Sequence, residues 1–130
     1  MDDIELSVIF AAAPGRLYEA WLDAETHAAM TGGAATGDPW VGGEFTAWDG
    51  YISGRTLDLE PGVRIVQAWR TAEFPDDAPD SRLELLFEDE GDGARLTLRH
   101  TEIPAGQGER YLQGWRDHYF DPMTAWIEAL

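Results

Sequence analysis

Residues 42–70 read GGEFTAWDGYISGRTLDLEPGVRIVQAWR, and this stretch predicts three consecutive strands. The dipeptides Asp49-Gly50 and Pro61-Gly62 separate the strands, because both pairs favour tight turns. Residues 114–126 read GWRDHYFDPMTAW and are predicted to be helical. Both stretches are rich in aromatic residues. Together they predict a curved sheet that closes on a long C-terminal helix, with space for a ligand between them.

The N-terminal part of the chain predicts one strand, two short helices and a loop. Residues 4–10 are β-branched and aromatic, as in a strand. Pro14 suits the first position of a helix, since its missing N–H costs nothing there. An apolar stripe at helical spacing follows it, formed by Leu17, Tyr18, Trp21 and Leu22. Asp23 can cap a second helix through His27 to Met30, and the Gly-rich residues 31–43 predict a loop.

Residues 82–88 and 94–101 predict the last hairpin of the sheet. Their apolar residues alternate along each strand, at Leu83, Leu85 and Phe87 and then at Leu96 and Leu98 before His100. Because a period of two places alternate residues on one face, we predict that this face is buried and that His100 shares it. The acidic, Pro-rich residues 74–81 before this hairpin predict a loop.

The C-terminal helix is predicted to begin near Gly108. Its apolar residues step by three and four: Leu112, Trp115, Tyr119, Met123, Trp126 and Leu130. Phe120 falls off this stripe and is predicted to face outward. Pro122 removes one helical hydrogen bond, which costs about 3 kcal/mol in a helix interior. We therefore expect a kink, or a capped restart of the helix at Asp121.

The charge of the chain excludes several classes of function. There are 25 acidic residues against 9 basic ones, all Arg, and the net charge is −16. A field of this sign repels phosphate backbones and anionic lipids, so nucleic-acid and membrane partners are not expected. Two explanations for the acidity remain open, adaptation to high salt and a biased genome composition.

Other features of the composition predict a single cytoplasmic domain over residues 1–130. The length fits one domain. Without Cys there is no disulfide framework and no thiolate site. No apolar run approaches the length of a membrane-spanning helix, and the acidic start MDDIELSVIF lacks the basic region of a secretory signal.

Short motifs along nearly the whole chain carry a resemblance to a known family. They lie in residues 4–22, 42–45, 49–50 with 54, 57–61, 65–66 with 69–70, 103–104, 114–115 and 119–120. In this order they resemble the AHSA family, which is named for activators of the heat-shock chaperone 90 ATPase. That family belongs to the START-like, or SRPBCC, superfamily.

The resemblance implies an α+β helix-grip fold. In this fold a curved antiparallel sheet of about six strands wraps a long C-terminal helix, and two short helices follow the first strand. The co-chaperone of this family has an additional N-terminal domain that makes much of the contact with the chaperone. The present chain resembles only the C-terminal domain.

The predicted cavity would be lined by aromatic residues with a few polar groups, which is the usual composition of a small-molecule site. The candidate lining residues are Phe45, Trp48, Tyr51, Arg55, Trp69, Phe87, His100, Trp115, Tyr119 and Met123. The alternative is that several of these side chains simply fill the core. We expect Trp69 and Trp115 to be partly structural in either case.

Two of these candidates have alternative roles. His100 is either a general acid/base, a group that orients a ligand, or a core histidine bonded to a neighbour. Arg55 either meets an acidic ligand or is exposed, and a bulge at Gly54 would change its direction. The three histidines lack metal-ligand spacing, so neither a metal nor a cofactor is predicted.

Three functions are consistent with the sequence. The first is a non-enzymatic protein that binds a small apolar or amphipathic molecule. The second is an interaction module associated with a heat-shock chaperone, as the family name implies. The third is an enzyme related to the superfamily's cyclases and hydrolases, with His100 as acid or base. Monomer and homodimer are both open.

Overall fold

The computed structural model describes residues 1–130 and contains one antiparallel sheet and a set of helices. The strands are β1 (Asp2–Phe10), β2 (Thr36–Gly37), β3 (Glu44–Ala47), β4 (Ile52–Glu60), β5 (Arg64–Thr71), β6 (Ser81–Glu90) and β7 (Gly93–Ile103). The helices are α1 (Pro14–Leu22), α2 (Ala24–Thr31), α3 (Gly108–Trp115), a π-helical turn (Arg116–Phe120) and α4 (Asp121–Glu128). The predicted α+β architecture is confirmed.

The sheet has seven strands in the order β1-β7-β6-β5-β4-β3-β2, one more than the six expected. The additional strand, β2, lies in the segment predicted to be a loop. It consists of two residues, paired as Thr36 with Thr46 and Gly37 with Phe45. Two residues are too few to show an alternating pattern, so the sequence carries no periodic signal for this strand.

The turns between the central strands form where the sequence predicts them. Trp48 and Asp49 adopt left-handed φ angles of 50° and 59° between β3 and β4, and Gly50 follows at 89°. The second helix begins as predicted, since the Asp23 carboxylate accepts the backbone N–H of Thr26 at 3.0 Å. These local signals therefore determine the course of the chain up to β5.

The irregularity in β4 lies further along than predicted. The register shifts between Thr56 and Asp58, not at Gly54, which pairs regularly with Trp69. Position 54 requires a glycine because two backbone segments lie close together there. A Cβ at this position would lie 1.9 Å from the carbonyl oxygen of Ala68. The bulge that the sequence left open at Gly54 does not form there.

The core lies between one face of the sheet and the helices. The alternating residues of the last hairpin are buried as predicted, and His100 has no exposed surface. Helix α1 packs against β6 and β7, where the ring of Tyr18 meets that of Phe87 edge to face at 6.0 Å. The cavity described below therefore opens beside a closely packed core.

The C-terminal segment stays helical through Pro122. The helix neither breaks there nor begins again with a side-chain cap. The backbone of Phe120 and Asp121 is helical, and the Asp121 N–H bonds the carbonyl of Arg116, five residues back. The wider turn changes the phase of the helix, so Phe120 is buried against Phe10, contrary to the prediction. None of the helices is long and apolar enough to cross a membrane.

Candidate ligand cavity

A cavity of about 320 Å³ lies between the sheet and the C-terminal helical segment. Nine residues line it, of which most are aromatic: Trp48, Tyr51, Ile52, Trp69, Tyr111, Gly114, Trp115, His118 and Tyr119. The turn after β3, the start of β4 and the middle of β5 form one wall. Helix α3 and the π-helical turn form the other. The cavity is partly open to solvent at its rim, where Tyr51 and His118 are exposed.

Helical spacing brings the helix residues of the cavity to one face. Tyr111, Gly114, Trp115 and His118 are separated by three, four and seven positions. Tyr119 joins them from the π-helical turn. Gly114 leaves space for the cavity, because a Cβ at this position would meet no heavy atom within 4 Å.

The aromatic rings of the two walls contact one another. The Trp69 ring stands at 83° to that of Tyr111, with 5.2 Å between their centroids, and lies 5.4 Å from that of Trp115. The rings of Trp115 and Tyr119 are 4.8 Å apart. Edge-to-face and tilted pairs of this kind stabilise a cluster by about 0.5–1.5 kcal/mol per pair beyond area burial.

His100 lies behind this cluster and is hydrogen-bonded at both ring nitrogens. The Trp115 indole N–H donates to Nδ1 at 3.1 Å, so the imidazole proton is on Nε2 and is donated to Ser81 Oγ at 2.8 Å. Ser81 in turn donates to the carbonyl oxygen of Trp69 at 2.6 Å. Burial lowers the pKa of His100 to about 3, so this imidazole is neutral near pH 7.

Tyr119 is held in a similar way by His27. The Nδ1–H of His27 donates to the carbonyl oxygen of Trp21 at 2.9 Å, which leaves Nε2 to accept the Tyr119 hydroxyl proton at 2.8 Å. Burial lowers the pKa of His27 and raises the pKa of Tyr119. Both groups are therefore neutral near pH 7, and the tyrosine ring has a fixed orientation in the wall.

A polar network surrounds the tyrosines at the rim. Tyr51 donates its hydroxyl proton to the Glu73 carboxylate, which also forms an ion pair with Arg110 at 3.1 Å. Burial, followed by the bond to Glu73, raises the pKa of Tyr51 to about 12. The same bond lowers the pKa of Glu73. Tyr111 donates to Gln107 Oε1 at 2.7 Å.

Trp48 supplies an unpaired hydrogen-bond donor to this region. Its Nε1 is the one buried side-chain nitrogen or oxygen without a hydrogen-bond partner in the structure. The indole packs on Gly33, where a Cβ would lie 2.6 Å from the ring, and meets the His118 ring at 5.5 Å. A donor left unpaired in this way costs about 1–3 kcal/mol.

Five of the ten predicted lining residues surround the cavity: Trp48, Tyr51, Trp69, Trp115 and Tyr119. The other five lie elsewhere. Phe87 and Met123 are packed in the core, and Phe45 covers Gly54. Arg55 is exposed over 59% of its side chain and points toward Glu44 at 4.0 Å, so the exposed alternative is correct. His100 does not line the cavity and lies behind the rings of Trp69, Tyr111 and Trp115.

Sequence reasoning missed Ile52, Tyr111, Gly114 and His118. The spacing of three, four and seven residues among Tyr111, Gly114, Trp115 and His118 was available as a signal. It was obscured because the longer apolar stripe begins at Leu112, and because a glycine and a histidine do not mark an apolar face.

The sequence matches the family model described as "Activator of Hsp90 ATPase homolog 1-like protein" over residues 11–128. The chain belongs to this family. The AHSA resemblance drawn from the motifs is therefore confirmed.

Relatives of this AHSA-family chain occur among eukaryotes and bacteria. The human protein "Activator of 90 kDa heat shock protein ATPase homolog 1" is 34% identical over 118 residues, which are 91% of this chain and 35% of that protein. The chain thus spans about a third of the length of the curated relatives it matches.

Solved structures share the fold of this AHSA-family chain. An HSP90 activator from Plasmodium falciparum superposes with a TM-score of 0.87 at 25% identity, covering 95% of this chain and 94% of that one. CalU16 from Micromonospora echinospora superposes with a TM-score of 0.81 at 26% identity, covering 96% and 75%. The helix-grip architecture is therefore common to these proteins.

Proposed function

We propose that this chain binds a small apolar or amphipathic molecule between its sheet and its C-terminal helical segment. The observation that carries the proposal is the aromatic cavity of about 320 Å³. Ligand pockets range over about 300–1,000 Å³ and have mainly apolar walls. The cavity combines a volume in this range with a largely aromatic lining, and it is partly open at its rim, where a ligand could enter.

The hydrogen bonds behind the cavity support a binding role over a catalytic one. Both ring nitrogens of His100 are bonded within the protein, and the residue does not line the cavity. His27 is also bonded at both nitrogens. These two histidines hold the Trp115 and Tyr119 rings in place, and rigid aromatic walls favour binding because little freedom is lost when a ligand enters.

The lining of the cavity favours a mainly apolar ligand. Seven of the nine lining residues are hydrophobic, and the exposed polar side chains at the rim are those of Tyr51 and His118. An amphipathic ligand would therefore lie with its apolar part against the aromatic rings and its polar part toward the rim.

The proposal can be tested with N-phenyl-1-naphthylamine, an uncharged dye whose fluorescence rises in apolar surroundings. We expect saturable binding by the wild-type chain. Gly114→Leu should weaken binding at least tenfold, because the new side chain would occupy open space in the cavity. Gly15→Leu is the matched control, since Gly15 is an exposed helical glycine with equally open surroundings in α1.

Two results would contradict the proposal. One is the absence of saturable binding of the dye to the folded wild-type chain. The other is equal affinity of wild type, Gly114→Leu and Gly15→Leu, which would place the dye outside the cavity. Unfolding curves of both variants show whether they remain folded, and a helical glycine replaced by Leu should not lower stability.

A second candidate is a module that binds a heat-shock chaperone. The human and Plasmodium relatives are named as activators of this chaperone, and the human protein is 34% identical to the chain. The test is a pull-down with the host's 90-kDa chaperone at low salt. No binding there would contradict this candidate. If the Gly114→Leu variant still binds the chaperone, then chaperone binding does not depend on the cavity.

A further inference from the structure

The walls of the cavity contain many aromatic rings and no permanently charged side chain. Six of the nine lining residues are Trp or Tyr, and the others are Ile52, Gly114 and His118. None of the nine Arg residues and none of the carboxylates lines it. The face of an aromatic ring carries partial negative charge and attracts cations, most strongly for Trp.

The tyrosine hydroxyls of the cavity direct their protons away from a ligand. Tyr51 donates to Glu73, Tyr111 to Gln107 and Tyr119 to His27. The Trp115 N–H is likewise donated to His100, and the unpaired Trp48 Nε1 is buried with almost no accessible surface. An anionic ligand needs several donors or a cation, so this wall offers it little compensation for lost water.

The surrounding charge has the sign that attracts a cation. The chain carries a net charge of −16, and the rim holds the Glu73 carboxylate. Arg110 pairs with Glu73 at 3.1 Å but is half exposed and does not line the cavity. A negatively charged protein raises the local concentration of cations at a cleft with low-dielectric walls.

Resting on the binding role proposed above, we propose that the cavity selects an organic cation: an apolar ammonium compound whose charged head lies against the rings of Trp48, Trp69 and Trp115. Trp69 and Tyr111 both line the cavity and their ring planes are at 83° to each other, so the aromatic wall changes direction between them. A substituted ammonium group spreads its charge over apolar methyl or methylene groups, so it fits a mainly aromatic wall without counter-ions better than a primary amine does.

Three compounds of nearly equal shape test the charge preference. They are phenyltrimethylammonium, its uncharged counterpart tert-butylbenzene, and the anion benzenesulfonate, each measured by displacement of N-phenyl-1-naphthylamine. We expect the ammonium compound to bind at least tenfold more tightly than the sulfonate and no more weakly than tert-butylbenzene. Its affinity should fall as salt rises, because salt screens the net charge.

A pair of Trp variants tests the role of the rings. Trp48→Leu keeps an apolar side chain but removes one aromatic face, so it should weaken the ammonium compound about threefold to tenfold more than tert-butylbenzene. Trp126→Leu is the control, since Trp126 lies outside the cavity and packs near Arg16. It should leave both affinities unchanged.

The outcomes separate this inference from the proposed function. If the dye and tert-butylbenzene bind, but the ammonium compound binds less than tenfold more tightly than the sulfonate, the cation preference is overturned and the apolar cavity stands. The same conclusion follows if the ammonium compound binds more weakly than tert-butylbenzene. If the dye itself does not bind, the proposed function fails first. Equal losses for both ligands in Trp48→Leu would also overturn the cation preference.

Discussion

Trp115 donates its indole N–H to Nδ1 of His100 across 3.1 Å, and so a residue of the cavity wall is anchored by an imidazole that the cavity does not reach. The other ring nitrogen bonds Ser81, which bonds the backbone carbonyl of Trp69. The two tryptophans on opposite walls are thus connected through one buried histidine. These hydrogen bonds fix the orientation of the Trp115 ring and join it to the backbone of Trp69.

Replacing His100 by Phe should lower the free energy of unfolding by about 2–4 kcal/mol. An aromatic ring would be retained, but the Trp115 N–H would lose its acceptor and the Ser81 oxygen would lose its donor, at about 1–3 kcal/mol each. Urea unfolding followed by Trp fluorescence measures the change. Ser81→Ala removes only part of the chain of hydrogen bonds and should cost less. An unfolding free energy equal to wild type in His100→Phe would refute the positioning role.

The stability of the wild-type chain should fall in acid through His100. Its pKa is about 3 in the folded state, against 6.5 for a histidine in the unfolded chain, so below pH 6.5 the unfolded chain binds a proton that the folded chain does not. Stability is then lost as pH falls from about 6.5 toward 3, by at most about 1.4 kcal/mol per pH unit.

This loss is measured as the difference between wild type and His100→Phe at two pH values. The stability advantage of the wild type should shrink by about 2 kcal/mol between pH 7 and pH 4.5. The pKa of His27 is also lowered by burial, but that residue is present in both proteins and its effect cancels. An advantage that stays constant with pH would contradict the assignment.

Replacing Asp2 by Ala should destabilise the junction between β1 and α3. The Asp2 carboxylate accepts the backbone N–H groups of Gly106 and Gly108, both at 2.9 Å, and so it caps a helix 106 residues further along the chain. Loss of such a cap costs about 0.5–2 kcal/mol. The exposed turn residue Asp92 offers a control, since Asp92→Ala removes the same charge without a cap.

The cost of the Asp2 substitution is read from thermal or urea unfolding. Asp2→Asn should retain much of the stability, because the amide oxygen can still accept these hydrogen bonds. If Asp2→Ala and Asp92→Ala were equally stable, the capping role would be disproved.

Replacing two of the glycines by Ala should change the free energy of unfolding in opposite directions. Gly54→Ala should be destabilising by several kcal/mol, because the new Cβ would lie 1.9 Å from the backbone oxygen of Ala68. Gly114→Ala should be stabilising by about 0.5–1 kcal/mol, because it lies in a helix with open space beside it. Unfolding curves compare the two variants with Gly15→Ala, which should resemble Gly114→Ala. A destabilised Gly114→Ala would mean that its surroundings are not open.

Most of the fold was predictable because its signals are local. The alternation of Leu83, Leu85 and Phe87 identifies a buried strand face, and Asp23 marks the start of α2. Each signal depends on residues within one element or one turn. The short strand β2 escaped prediction, since its hydrogen bonds with β3 provide the only sign of it.

The cavity was less predictable than the fold. The face of a strand or helix on which a residue lies depends on tertiary contacts as well as on the local sequence. Arg55 was a candidate for either the cavity or the solvent, and the structure shows that its side chain is exposed. Phe120 was expected outside, yet the π-helical turn rotates it into the core beside Phe10. Neither the bulge nor the π-helical turn has a sequence signal as strong as the Asp-Gly turn.

The order of strands and helices, the buried hairpin face and the family are properties of the sequence alone. Only the tertiary structure decided which rings surround the cavity, that His100 is bonded at both nitrogens, and that Asp2 caps α3. The reason is the separation of the partners: periodicity and capping act over a few residues, while these contacts join residues 15 to 106 positions apart. Folding of the whole chain brings such partners together, and no local sequence pattern shows which residues will be in contact.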